Sequence, residues 1–326
     1  MAGRWFRMKI LLCSNIQLGV VCTENLDLKQ AHKWQKARNE KFSDMIDKAA
    51  QNHAEYVILT GQFFGQKRIP ESLLDEFFQS IKKYIDIQLL AILNDDEFKR
   101  IMYRSDIPEN LHLLCPQRQE SYSDEKIEVI VDNSEMKIQL GNHTSLFVKK
   151  NEKSFILSGI DKNNYVVPSF EPIGFEDFEE NNFGYYIVDC SHDKSVSISF
   201  NEFQKYAFQS IELEINEGDD QKEIQSKINN AIKEIEFDSF LHITIKGRLA
   251  FGLTINSEAL EHLLENRFFY VEVYDSTVMD IDESAFENDI SLRAEFVKLA
   301  LRDASLSESE RSRLISCGWN ALNGGR

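Results

Sequence analysis

Three polar segments in the first hundred residues each follow a short apolar run, and their side chains could share one site. They contribute Asn15 and Gln17, then Gln62, and finally Asn94, Asp95 and Asp96. Loops that follow the carboxyl ends of parallel strands form the usual ligand site of an α/β fold. Amides offer carbonyl oxygens to a cation but supply no negative charge, so we expect divalent ions to bind weakly there.

Two interpretations of the third segment remain open. The carboxylates of Asp95 and Asp96, together with Asp161, could bind one cation weakly. Alternatively, Asp95 and Asp96 cap a helix predicted at residues 97–103, because the N-terminus of a helix favours carboxylates. Capping is the favoured interpretation.

The elements that would position these side chains alternate between strands and helices. Apolar spacing predicts strands at residues 10–12, 56–59 and 88–93, separated by helices at 36–51 and 70–84. This alternation is typical of a parallel α/β layer. Residues 111–200 are instead rich in short strands, predicted at 126–131, 137–140, 146–149 and 155–158.

A second pattern begins near residue 205. Strands predicted at 208–215, 240–246 and 268–273 enclose helices at 221–235 and 257–264, which gives a β-α-β-α-β unit. Two amphipathic helices follow at 290–302 and 307–322. We therefore predict three parts: residues 8–200, 205–278 and 285–326.

The three polar segments resemble the metal-binding motifs of the calcineurin-like metallophosphoesterases, specifically the SbcD type of DNA double-strand-break nuclease. That family has Asp and His where this chain has Asn15 and Gln17, and a bridging Asp at the position of Gln62. Asn94 is retained, but Asp95 occupies the position of the catalytic His. The stretch from Gly159 to Asp161 is similar to the family's Gly-His-x-His-Lys turn, without the two histidines.

The resemblance implies a metallophosphoesterase-like α/β sandwich with a small β-α-β-α-β capping domain and a C-terminal helical hairpin. Two divalent ions need a bridging carboxylate and anionic or imidazole ligands, which are mostly replaced here. We therefore expect a pseudo-enzyme with no catalytic residue, no bound metal and no cofactor. The vestigial metal-site positions are Asn15, Gln17, Gln62, Asn94, Asp95, Asp96, Gly159 and Asp161.

In the resembled family, a C-terminal helix-loop-helix docks on the coiled coil of an SMC-like ATPase of the SbcC type. The same partner is therefore implied for this hairpin, with a separate effector nuclease if the context is a Lamassu-type anti-phage defence complex. The expected partner-binding residues are Phe296, Val297, Leu301, Leu314, Ile315, Trp319 and Leu322.

Two rival hypotheses remain. One is a metal-dependent nuclease or phosphatase that uses an altered single-metal centre at Asp95, Asp96 and Asp161. The other is a structural homodimer, because the resembled family dimerises through helices beside its first domain. The string Gly141-Asn142-His143 repeats a family motif but is predicted to be a surface turn.

Composition limits the partners and the compartment. The net charge of −17 has the wrong sign for a protein that binds a phosphate backbone directly, so any DNA contact is expected to be indirect.

The five cysteines are widely spaced and include no C-x-x-C pair, which favours a reducing cytoplasm. No apolar run reaches the roughly 18 residues of a membrane span, and residues 1–7 are expected to lie outside the fold.

Overall fold

The computed structural model describes residues 8–322 except 134, 141–143, 152–153, 162, 181, 192–194, 204–205, 217, 252, 280 and 282. Residues 1–7 and the Gly141-Asn142-His143 string therefore lie outside the described residues. The chain divides into two compact units, Met1–Lys205 and Tyr206–Arg326.

Strands and helices are numbered in chain order. The strands are β1 (Met8–Ser14), β2 (Tyr56–Thr60), β3 (Gln88–Ile92), β4 (Leu111–Leu114), β5 (Ser121–Ser123), β6 (Ile127–Val131), β7 (Glu135–Leu140), β8 (Thr144–Lys150), β9 (Phe155–Ser158), β10 (Tyr165–Val166), β11 (Gly184–Cys190), β12 (Val196–Glu202), β13 (Phe208–Ile215), β14 (Phe240–Leu249) and β15 (Tyr270–Met279). The α-helices are α1 (Leu28–Gln51), α2 (Glu71–Lys82), α3 (Asp95–Ile101), α4 (Phe175–Glu180), α5 (Gln221–Ala231), α6 (Ser257–Leu264), α7 (Leu292–Arg302) and α8 (Glu308–Leu322).

The first sheet of the first unit has the strand order β12-β11-β1-β2-β3-β4. Strands β1 to β4 are parallel, whereas β11 runs antiparallel to β1. Helices α1 and α2 cover one face, where Phe42 and Phe77 join the same core as Leu11 and Leu59. The strands and their connecting helices confirm the predicted mixed α/β class.

A second, antiparallel sheet in the order β10-β9-β8-β7-β6-β5 covers the other face of the first sheet. Leu12 and Ile58 from the first sheet share a core with Val129 and Ile138 from the second. Because β1 to β3 are buried on both faces, their sequences are continuous apolar runs with little polar alternation. Polar side chains are therefore concentrated at the ends of these strands.

The second unit contains a parallel three-stranded sheet in the order β13-β14-β15. Helices α5 and α6 connect these strands, and Ile228 and Leu264 pack with Leu241 and Ile243 of the central strand. Helices α7 and α8 form the C-terminal hairpin, in which Ser312 Oγ accepts a hydrogen bond from the backbone N–H of Met279 at the end of β15. Each of these elements lies where apolar spacing predicts one.

The longest described helix is α1, with 24 residues, and charged side chains recur along its length. Within the described part of the chain, no helix combines the length and apolar character needed to cross a membrane.

Candidate functional site

A cleft of about 430 Å³ lies in the first unit, where the carboxyl ends of β1, β2 and β3 meet the ends of strands from the second sheet. Three of the predicted site residues, Asn15, Gln62 and Asn94, line this cleft. The parallel strand order explains their proximity, because the loops after β1, β2 and β3 leave the sheet at the same edge.

The loop after β1 is bonded along its length to the loop after β2. The backbone N–H groups of Asn15, Gln17 and Leu18 donate to the carbonyls of Thr60, Gln62 and Phe63 at 2.9, 3.2 and 2.9 Å. Asn15 and Gln17 both have a φ of +49°, a left-handed conformation that is uncommon for residues other than glycine. The two loops therefore form one fixed surface at the edge of the cleft.

Amide side chains reinforce this pairing. Asn15 Oδ1 accepts a hydrogen bond from the backbone N–H of Gln62 at 3.2 Å, and Asn15 Nδ2 donates to Ser169 Oγ at 3.3 Å. Gln17 Nε2 donates to Gln62 Oε1 at 3.3 Å, and Gln62 Nε2 donates to the carbonyl of Phe64 at 3.3 Å. Their carbonyl oxygens, which a cation would need as ligands, thus already accept hydrogen bonds from the protein.

Substitution of Gly61 with alanine is expected to lower the free energy of unfolding by about 1–2 kcal/mol. Gly61 has a φ of +87°, and a Cβ there would lie 2.3 Å from Asn15 Oδ1 and 2.9 Å from Phe155 Cε2. The change would therefore strain the backbone and push on both sides of the cleft. Urea unfolding followed by circular dichroism measures the loss.

The matched control for this substitution is Gly218→Ala. A Cβ at Gly218 would meet no atom within 4 Å, and its φ is not in the left-handed region. We expect its effect to stay within about 0.5 kcal/mol. Equal effects of the two substitutions would contradict the role assigned to Gly61.

Asn94 caps helix α3, so both polar groups of its side chain already have partners in the protein. Its Oδ1 accepts from the backbone N–H of Glu97 at 2.9 Å, while its Nδ2 donates to Glu97 Oε2 at 2.7 Å. Asp95 and Asp96 occupy the first turn that follows. The capping interpretation is thus corrected in one respect: the cap is Asn94, and the two aspartates favour the helix from its first turn.

Two of the predicted site carboxylates, Asp95 and Asp161, are engaged in contacts outside the cleft. Asp95 forms ion pairs with Lys99 and with Arg118, and these partners lower its pKa. Asp161 accepts from the backbone N–H of Asn163 at 2.6 Å and from the hydroxyl of Tyr165 at 2.8 Å, which also lowers its pKa. These contacts fix both carboxylates to their own local structure.

Gly159 and Asp161 do not line the cleft. Both follow β9, whereas the cleft is lined by Ser154 and Phe155 at the opposite end of that strand. Gly159 has a φ of +96°, and a Cβ there would lie 2.4 Å from the carbonyl oxygen of Ser145. The local backbone therefore explains why position 159 is a glycine.

The residues at this edge do not fit a two-metal centre. Among the described residues, no three or more His, Cys, Asp or Glu side chains are grouped so that they could hold a metal ion. Asp95, Asp96 and Asp161 are accordingly not brought together. The amides that line the cleft cannot replace a bridging carboxylate, because they carry no charge to offset two dications.

Glu97 is the first residue of the site that the sequence interpretation missed. Its Oε1 accepts from the backbone N–H groups of Phe63 and Phe64 at 3.0 and 2.9 Å, so it ties the loop after β2 to the start of α3. Burial raises the pKa of Glu97, against the opposing effect of these hydrogen bonds. The Asn-x-x-Glu spacing from Asn94 is a capping-box signal that could have identified it.

Arg38 of α1 is the second residue that the sequence interpretation missed. Its side chain bonds to the backbone of the loop after β1 and of the segment before α4. Its guanidinium is buried and donates to the carbonyls of Ile16, Glu171 and Pro172 at 3.1, 3.1 and 3.2 Å. The only sequence signal is its position four residues from both Trp34 and Phe42, on the apolar face of the helix.

None of the five cysteines is disulfide-bonded. Cys13, Cys22, Cys115 and Cys190 are buried, while Cys317 of α8 is exposed. Burial raises the pKa of the Cys13 thiol to about 12 and that of Cys22 to about 11. These thiols stay protonated at neutral pH and are therefore poor nucleophiles.

The hairpin residues expected to bind a partner have different positions in the structure. Val297 and Ile315 are both fully buried and pack with Met279 and Phe286, so they hold the hairpin together and are not available to a partner in this conformation. Phe296, Leu301 and Trp319 pack against the same core, Leu322 is half-buried, and Leu314 is 43% exposed. The most exposed apolar side chains of α7 are Leu292 and Leu299, at 73% and 67%, which the sequence interpretation did not select.

The cleft and the hairpin are thus two features of the described residues that bear on function. Comparison with models of protein families gives no match to the chain, and no curated protein matches it. Function must therefore be inferred from the chemistry of the cleft and from the surface of the hairpin.

Proposed function

We propose that this protein is a catalytically inactive, SbcD-like scaffold subunit of an SMC- or SbcC-like ATPase complex that acts in DNA-end sensing, repair or anti-phage defence of the Lamassu type. The observation that supports the proposal is the amide network of Asn15, Gln17 and Gln62, three positions to which the resemblance assigns metal ligands. A phosphoesterase centre of two metals needs charged ligands to hold the ions and to activate water. Neutral side chains bonded to one another supply neither.

The docking part of the proposal concerns the hairpin surface, which we define as Leu292, Leu299 and Leu314. Leu292 and Leu299 are seven residues apart, two helical turns, and therefore share one face of α7. Their exposure leaves apolar area uncovered, and a coiled-coil helix with heptad spacing presents apolar side chains at the same interval. The buried core around Val297 and Ile315 supports this surface by fixing the two helices.

Charge supports an indirect relation to DNA. With a net charge of −17 the chain does not attract a phosphate backbone, so nucleic acid would be contacted through the ATPase. The exposed Arg293 and Arg302 on α7 favour an acidic face on the partner helix.

The double variant Leu292→Asp, Leu299→Asp is expected to reduce recovery of the coiled-coil ATPase by at least about 30-fold. Two charges would be placed on the apolar contact, where central interface residues contribute about 2 kcal/mol or more. The measurement is affinity purification from native cells with the full chain as bait, followed by mass spectrometry and size-exclusion chromatography of the recovered complex.

Leu263→Asp is the matched control, because Leu263 is 65% exposed on α6 of the same unit and lies outside the hairpin. It should leave recovery unchanged. Truncation after residue 285 removes the hairpin and should abolish recovery altogether. If wild-type bait returned alone, or if the double variant bound as well as wild type, the docking proposal would be wrong.

A further inference from the structure

The cleft of the first unit has the dimensions of a small-molecule site, and this use is independent of docking through the hairpin. Its volume of about 430 Å³ falls within the range of protein ligand pockets. We propose that the cleft binds an uncharged nucleoside, with the base stacked on Phe155 and its edge facing amide side chains.

The wall from the second sheet is apolar and includes one aromatic ring. Val131, Met136 and Val148 are buried lining residues, and Phe155 is half-buried beside them. The Phe155 ring lies against Gly61, where any side chain would collide with it at 2.9 Å. The absence of a side chain at Gly61 thus lets the Phe155 ring pack directly against the loop after β2, which fixes the ring in place where it lines the cleft. Heterocyclic bases stack on the exposed face of aromatic rings of this kind.

The opposite side of the cleft is polar but largely satisfied. The side-chain amides on this side already make hydrogen bonds within the protein. Asn15 accepts from the backbone of Gln62, Gln62 donates to the carbonyl of Phe64, and Asn94 donates to Glu97. A ligand with many hydroxyl groups would find few partners here. Asn133 has an exposed side chain at the rim, and an amide offers the paired donor and acceptor that match the edge of adenine. Gln117 lies at the rim as well, but its Oε1 already accepts a hydrogen bond from Cys115 Sγ at 3.2 Å.

The charge at the rim does not favour phosphate. Asp132 and Glu135 line the cleft with Lys150, and Glu135 also pairs with Lys149 at 3.3 Å, so the rim carries no excess of positive charge in a chain that is already acidic. The N-terminus of α3, at the edge of the cleft, is capped by Asn94 and already carries the carboxylates of Asp95 and Glu97 in its first turn, which disfavours a further anion. A neutral nucleoside therefore fits better than its phosphorylated form.

The test is isothermal titration calorimetry of the full chain with adenosine, guanosine, cytidine and uridine, and with the four corresponding 5′-monophosphates. We expect at least one nucleoside to bind, adenosine most tightly, and each monophosphate to bind more weakly than its nucleoside. Phe155→Leu keeps an apolar side chain but removes the ring, and should weaken nucleoside binding about tenfold.

Phe237→Leu is the control, because Phe237 is 74% exposed and lies outside the cleft. It should leave the affinity unchanged. Asn133→Ala, at an exposed position, provides a second variant if Phe155→Leu fails to fold, and should weaken binding about fivefold. The inference is overturned if no nucleoside binds, if the monophosphates bind more tightly, or if neither cleft variant changes the affinity. The Leu292→Asp, Leu299→Asp variant should bind nucleoside normally, so failure of the docking proposal is distinguishable from failure here.

Discussion

Replacing Arg38 with methionine is expected to lower the free energy of unfolding by about 3–5 kcal/mol, the largest effect we predict for a single substitution. The Arg38 side chain is 1% exposed and forms an ion pair with Glu171 at 3.8 Å, whose side chain is 7% exposed. Burial lowers the pKa of Arg38, and the Glu171 carboxylate opposes that shift. Methionine would remove the Arg38 cation from the buried Glu171 carboxylate and would remove the donor of three hydrogen bonds to carbonyls.

The measurement is reversible urea unfolding at neutral pH. Lys36→Met serves as the control on the same helix, because the Lys36 side chain is 70% exposed, and its effect should stay within about 0.5 kcal/mol. Adding Glu171→Gln to Arg38→Met should recover part of the loss, since the buried charge is then removed. A loss below about 1 kcal/mol for Arg38→Met would contradict the positioning role of this residue.

Replacing Glu97 with alanine should lower the free energy of unfolding by about 3 kcal/mol. The carboxylate accepts hydrogen bonds from the backbone N–H groups of Phe63 and Phe64 and from Asn94 Nδ2. Alanine would leave the two buried backbone donors of Phe63 and Phe64 unpaired and would remove half of the capping box of α3. The loop after β2 would lose its connection to α3, so the cleft should become more accessible to proteolysis or hydrogen exchange.

Glu97→Gln tests the mechanism of this loss. One amide oxygen can still accept from Phe63 and Phe64, but the NH₂ group would face the Nδ2 donor of Asn94. We therefore expect about half the effect of alanine. Glu109→Ala, at an exposed glutamate, is the control for both and should change stability by less than about 0.5 kcal/mol. Equal stability of Glu97→Ala and wild type would show that the network does not hold the loop.

The position of most elements could be predicted because the apolar pattern is strong where strands are buried on both faces. The strand predicted at residues 56–59 is β2 (Tyr56–Thr60), and that predicted at 88–93 is β3 (Gln88–Ile92). Helix α1 begins at Leu28, eight residues before its predicted start, because Asp27 caps it through Gln30. Its first turns carry little apolar periodicity, so only the cap signal could have placed them.

The site was predictable only where sheet topology decides it. Asn15, Gln62 and Asn94 share the cleft because parallel strands end at a common edge. Asp161 is separated from them because the two ends of β9 lie at different places. The first residue of β9, Phe155, lines the cleft, whereas Asp161 follows the last residue of that strand. The family resemblance grouped Asp161 with these residues from the similarity of short sequence segments. Such similarity does not indicate which end of a strand faces the cleft.

The hairpin illustrates a limit of periodicity. Val297 and Ile315 were expected to meet a partner because they are apolar and helically spaced. A face packed on the same chain and a face packed on another chain have the same pattern, and only the contacts with Met279 and Phe286 distinguish them. The docking partner stays a prediction. Leu314 is retained from the predicted set because it is exposed, and Leu292 and Leu299 are added to it.

The unequal burial of the cysteines makes this chain convenient for labelling. A maleimide dye offered to the folded protein should react at Cys317 alone, since the other four thiols are buried and burial raises the pKa of Cys13, Cys22 and Cys190. Cys317 lies on α8, within the hairpin that we propose for docking. A fluorophore can therefore report on events at the hairpin without any substitution of the natural sequence, and partner association could be followed in real time by its change in anisotropy.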